Sequence, residues 1–174
     1  GEQRMIDFEE RREELLKKIE EMTRRKQYKA LRDILVELEP ADIADLCDDL
    51  PEEMLPLLFR LLPKEQAAET FVEMEPDMQE KLIRSFSDTE LKSVLDELYV
   101  DDAVDLVEEM PANVVKRLLA QADPDMRKSI NELLRYPEDS AGSIMTIEFV
   151  ALRPQMTAAD AIASIRRTGM DKET

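Results

Sequence analysis

The side chains able to do chemistry in this sequence are overwhelmingly carboxylates. Asp and Glu number 41 against 24 Lys and Arg, for a formal net charge of −17, and there is no histidine. Without histidine, neither the Ser-His-Asp and Cys-His nucleophile sets nor the usual zinc sites can be assembled. No nucleophile–base pair or phosphate-cradling glycine loop takes their place, so nothing in the sequence supports an enzyme. The carboxylates are also unevenly placed. Residues 37–110 hold 23 Asp and Glu and only five Lys and Arg, whereas residues 1–30 hold eight acidic and nine basic side chains. A surface of that kind repels phosphate backbones, which argues against a nucleic-acid partner. It attracts cations or basic partners instead. The single cysteine, Cys47, cannot form an internal disulfide. It lies among Ile43, Leu46 and Leu50 at helical spacing, as a small buried hydrophobe would.

The elements that must carry these carboxylates are short helices. Helix formers are abundant and only three glycines occur in 174 residues, so the sequence predicts an all-α fold. Residues 5–26 read as one amphipathic helix with Met5, Phe8, Leu15, Ile19 and Met22 on its apolar side and Arg12 interrupting the stripe. A second helix is expected from about Lys29 to Leu38. From there prolines recur at 40, 51, 63, 76, 111, 124 and 137, each suited to the first turn of a helix and unsuited to the end of the one before. Within the longest gap, Ser87-Asp88-Thr89-Glu90 fits a capping box and Asp101-Asp102 opens a further helix. Helices of two to three turns do not stand alone in water. Each must bury its apolar face on a neighbour, which predicts a superhelix of short antiparallel helices.

A repeat runs through this region at an offset of 60 residues. Asp42, Asp45, Leu46 and Pro51 recur as Asp102, Asp105, Leu106 and Pro111. Met54, Leu55, Leu58 and Phe59 align with Val114, Val115, Leu118 and Leu119 in apolar character. The pattern changes near residue 136. Residues 136–143 read as a linker, Ile147 to Leu152 as a strand, and Thr157 to Asp160 as the N-cap of a helix with Ala161, Ile162 and Ile165 facing inward. No stretch approaches the ~20 apolar residues of a membrane span. Nor is a signal peptide visible.

The stretch Tyr136-Pro137-Glu138-Asp139-Ser140-Ala141-Gly142-Ser143-Ile144-Met145-Thr146 resembles the junction segment of MgtE-type magnesium transporters. Phe149-Val150-Ala151-Leu152, Met156-Thr157 and Ala161-Ile162 resemble the opening of a CBS domain. Leu38-Glu39-Pro40-Ala41-Asp42 and Leu61-Leu62-Pro63-Lys64 fit the same family's helical N-terminal domain. The resemblance implies an N-terminal helix over residues 1–28, an acidic helical-repeat domain over 29–135, a junction over 136–146, and the first strand and helix of a truncated α/β CBS domain over 147–174. It further implies the cytoplasmic portion of a homodimeric inner-membrane magnesium channel. In that family, magnesium held between the acidic domain and the CBS domains closes the pore, and the domains separate when intracellular magnesium falls.

Carried over residue by residue, the family pattern points to Asp101 and Asp105 as magnesium-facing carboxylates and to the backbone carbonyl of Ser143, where the family often has glycine. Asp102 would tune the local field. Asp101 and Asp105 lie four residues apart, on one face of a helix. Magnesium is a hard cation that keeps most of its waters and is usually held by one or two carboxylates. The implied cofactor is Mg2+, and the implied partners are a second protomer and the CBS and transmembrane domains of the full protein. A different reading of the same repeat is an acidic helical-solenoid scaffold for a basic protein partner.

Overall fold

The punctuation by proline and polar caps produces helices where the residues call for them. A computed structural model describes residues 2–136, 140, 142, 145–169 and 172, with side chains from residue 11 onward. In chain order the helices are α1 (Glu2–Arg24), α2 (Tyr28–Leu35), α3 (Pro40–Asp49), α4 (Leu55–Leu61), α5 (Lys64–Val72) and α6 (Pro76–Ser85). They continue with α7 (Asp88–Leu95), α8 (Val100–Glu109), α9 (Ala112–Gln121), α10 (Pro124–Leu133) and α11 (Ala158–Thr168). A single 3-10 turn, Glu52–Met54, precedes α4. Prolines stand in the first turn of α3, α4, α6 and α10. The capping box of α7 is present in full, with the Ser87 side chain accepting from the Glu90 N–H and Glu90 accepting from the Ser87 N–H. Asp123 caps α10 by accepting from the N–H groups of Asp125 and Met126 at 2.9 and 2.8 Å.

Few helices end on glycine. Instead, side chains from other helices reach the orphan carbonyls at their C-termini. Gln66 of α5 donates to Leu38 O at 2.9 Å, just past the end of α2. Gln79 of α6, itself buried, donates to Phe71 O of α5 at 2.9 Å. Arg117 of α9 donates to Phe86 O at 2.6 Å, beyond α6, and to Asp88 Oδ1 at the start of α7. Helix α1 stops differently. Lys26 takes a left-handed conformation, φ 57°, while Gln27 N–H donates to Met22 O and Lys26 N–H to Thr23 O. These two bonds are those of a Schellman terminator, with lysine where glycine is the usual residue.

The repeat is deeper in the structure than in the sequence. Helices α2 and α3 begin and end 60 residues before α7 and α8, and α5 begins 60 residues before α10. The packing recurs as well: α2 lies on α4 and α7 on α9, while α3 lies on α5 and α8 on α10.

Two units can be distinguished. The first comprises Gly1–Glu97 with Met110–Gln121, and the second Leu98–Glu109 with Ala122–Thr174. The core of the first unit is built from side chains such as Ile19, Leu31, Leu35, Ile43, Leu55, Phe71, Leu82, Leu91 and Leu118, all at most 2% exposed. Cys47 is buried among them as expected, and burial, then the charge of Asp48, pushes its thiol up to about 12. Arg12 does not merely interrupt the stripe of α1. It donates from Nε to Asp45 Oδ2 at 2.7 Å, from a second nitrogen to Asp49, and from a third to Asp45 O, fastening α1 to the acidic α3.

The second unit packs α8 on α10, with Val100, Ala103, Val104, Leu106, Ile130 and Leu133 buried. Two expectations fail here. No strand forms among the described residues; 148–153 have no regular secondary structure. A lone extended segment has no neighbour to complete its backbone hydrogen bonds. Helix α11 forms, with Thr157 and Asp160 making the reciprocal cap, but it buries no residue. Ile162 and Ile165 are about half exposed rather than inward, since no described element covers them.

Candidate metal-responsive site on α8

Helix α8 is amphipathic by its own residues. Val100, Ala103, Val104 and Leu106 are buried, and the remaining positions carry Asp101, Asp102, Asp105, Glu108 and Glu109. Asp101 and Asp102 occupy the first turn, where the positive end of the helix dipole stabilises their charge. Both are half-buried, whereas Asp105, one turn on, is exposed. Asp101 and Asp105 therefore share a helix face, as their spacing requires, with one carboxylate held near the surface of the unit and the other in solvent. The fourth predicted residue, Ser143, lies outside the described residues.

Glu148 also reaches this helix end, although nothing in the spacing pointed to it. Its carboxylate accepts a hydrogen bond from the Val100 N–H at 2.7 Å, and its own N–H donates to Thr146 Oγ1 at 3.1 Å. The N–H groups of a helix's first turn have no partner within the helix. A side chain 48 positions along the chain thus supplies the cap that residues next to α8 do not. It also ties the segment after Tyr136 to the turn that carries Asp101 and Asp102. The only sequence signal was a lone acid in an otherwise apolar stretch, Ile147-Glu148-Phe149-Val150.

Within the junction, Gly142 is needed for close approach. A Cβ there would fall 2.2 Å from Cδ1 of Tyr136, so the backbone passes against the ring.

The two halves of the repeat differ in how their acids are used. Asp45 of α3 is occupied by Arg12. Asp105, its counterpart on α8, makes no ion pair among the described residues, and Ala41 stands where α8 has Asp101. The described residues hold no group of three or more Asp, Glu, His or Cys able to enclose a metal. What α8 offers is a carboxylate pair on an open face. That donor set suits magnesium, which keeps several waters and takes one or two carboxylates, and does not suit zinc. No described helix is long and apolar enough to cross a membrane.

Comparison with known proteins agrees with the junction and the helical repeat. The chain is 35% identical over 166 residues to the magnesium transporter MgtE of Thermus thermophilus, covering 93% of this chain and 37% of that protein. It is 25% identical over 154 residues to the magnesium transporter MgtE of Bacillus subtilis, covering 88% and 34%. It therefore spans about a third of the length of these relatives. Among solved structures, the cytosolic domain of the Mg2+ channel MgtE in complex with ATP matches with a TM-score of 0.81 at 34% identity, over 90% of this chain and 64% of that one. The soluble part of a magnesium transporter shares the fold, with a TM-score of 0.79 at 24% identity, over 94% and 64%. The family model of the MgtE intracellular N domain matches residues 38–139, and with more than half its length so matched, the chain belongs to that family.

Proposed function

We propose that this chain is the cytoplasmic magnesium-sensing part of a membrane magnesium transporter, closing the pore when intracellular magnesium is high. The observation that carries the proposal is the pair Asp101 and Asp105 on α8, in a family of magnesium transporters, with Asp105 left unpaired where its repeat counterpart is taken by an arginine. Two acidic surfaces stay apart unless cations lie between them. A divalent ion shared between α8 and a second acidic domain favours the closed arrangement in proportion to its tighter binding there. Asp101 and Asp105 would contact the ion, Asp102 would shape the field, and the Ser143 carbonyl would supply a further oxygen. Few protein ligands and many retained waters make such a site weak, so its occupancy can follow cytosolic magnesium.

On this reading residues 29–135 are the sensing domain, 136–146 the junction, and 147–174 the opening of a CBS domain. The exposed Ile162 and Ile165 of α11 support that boundary, because chain continuing beyond α11 would cover them. The working assembly is a homodimer joined mainly through regions outside this chain.

The test is small-angle scattering on the full intracellular part of the longer protein, titrated with magnesium and with sodium at matched ionic strength. Compaction by magnesium alone, lost when Asp101 and Asp105 are both changed to Asn, is the expected result. Equal compaction by both salts would reduce the effect to charge screening and favour a scaffold for basic partners. Compaction by magnesium that survives the double change would move the site away from α8.

A further inference from the structure

The first unit contains a cleft that the magnesium reading does not use. It has a volume of about 170 Å³ and lies among α4, α5 and α7. Its apolar wall is made by Phe59, Leu62, Ala67, Phe86 and Val94, each no more than 8% exposed. Phe59 and Phe86 meet edge to face, with ring centroids 5.9 Å apart, which fixes the wall's shape. A cavity of about 150 Å³ with an aliphatic and aromatic lining is enough to hold one benzene ring. The cleft therefore has room for one six-membered ring or a short branched chain.

The electrostatics at the mouth are the second observation. Of the five cations in the acidic stretch 37–110, four have carboxylate partners: Arg60 with Glu90, Lys81 with Glu52, Arg84 with Glu80, and Lys92 with Asp96. The fifth, Lys64, has none among the described residues, although acids surround it in sequence. It is exposed and borders the cleft. As the first residue of α5 it stands at the positive end of that helix, where a cation is disfavoured. A lone cation held in an unfavourable place, over an apolar cleft, complements a ligand with an apolar body and one negative charge. Arg60 borders the same mouth but is committed to Glu90, so Lys64 is the group with charge to spare.

We infer that this cleft binds a small organic monocarboxylate, its ring or branched chain against Phe59 and Phe86 and its carboxylate at Lys64. Burial of the apolar part supplies the attraction. The charge-assisted contact at Lys64 selects the anion over a neutral molecule of the same shape. This inference is independent of α8 and of magnesium.

The probe is phenylacetate, compared with its neutral isostere phenylacetamide, added to the whole chain and followed by ligand-observed NMR and by amide shifts. Phenylacetate should bind and perturb α4, α5 and α7, and the amide should bind at least about tenfold more weakly, the scale expected for a charged hydrogen bond. Lys64→Gln should erase that preference. Ser93→Phe, which fills the cleft from its half-buried edge, should abolish binding of both while the circular-dichroism spectrum is unchanged. If Ser93→Phe does not fold, Ser93→Leu serves the same purpose with less bulk. Absence of any phenylacetate response, equal binding of the amide, or binding that persists in the filled cleft would each overturn the inference.

Discussion

At the residue scale, Glu90 links the acidity of the chain to its stability. Arg60 first, then the Ser87 backbone N–H, hold its carboxyl at about 2 against an ordinary 4.5. The folded chain thus binds this proton more weakly than the unfolded chain does, so the stabilisation is complete above the ordinary value and drains away as pH falls toward the lowered one. Urea melts at about pH 5 and about pH 3 should show a loss in the wild type that Glu90→Gln reduces, since glutamine keeps the cap of α7 but not the charge. An equal loss in both would remove Glu90 from the acid limb. Lys26 is the opposite kind of residue, one whose replacement should help. It holds φ 57° at the end of α1, a conformation that costs a side chain roughly 1 kcal/mol. Lys26→Gly should raise stability by about that amount in a thermal melt, with a fall instead if the lysine side chain is what anchors the turn.

At the element scale, Arg117 makes the corner between α6 and α7 depend on α9. One guanidinium serves Phe86 O, Ile83 O and Asp88 together. Lysine keeps the charge and loses the fork. Arg117→Lys should therefore cost about 1–3 kcal/mol, more than an exposed ion pair is worth, because a carbonyl is left unpaired. Hydrogen exchange at the start of α7 should rise with it, and a cost below about 0.5 kcal/mol would show that water replaces the fork freely. Such contacts mark the limit of what the sequence discloses. Helix starts were readable because their causes are local: Pro40, Pro76, Pro124, and the Ser87 to Glu90 box. The repeat was readable in α3 and α8, where identities survive, but not in α2 and α7, whose matching bounds carry little matching sequence. Arg12 on Asp45, and Glu148 on Val100, join residues 33 and 48 positions apart, and no spacing rule reaches that far. Asp101, Asp102 and Asp105 do fall on one helix as their spacing required. That they face magnesium came from resemblance, and Ser143 lies outside the described residues. The strand over 147–152 was misjudged because its residues favour extension while its surroundings give it nothing to pair with.

For the whole molecule, charge and repetition dominate. A chain at −17 gains from cations in solution whatever its specific sites do, so any magnesium effect must be read against sodium at equal ionic strength. Repetition has a kinetic consequence. Because α2 through α5 and α7 through α10 share lengths and a 60-residue step, a collapsing chain finds two near-equivalent addresses for each helix. Wrong pairings of this sort are the characteristic trap of repetitive chains, and between two molecules they become exchanged dimers. Refolding from urea should then give less monomer as chain concentration rises, with the missing fraction eluting as a dimer on size exclusion. A monomer yield that stays constant with concentration would mean that the differences between the halves, Ala41 against Asp101 among them, are enough to keep the two addresses apart.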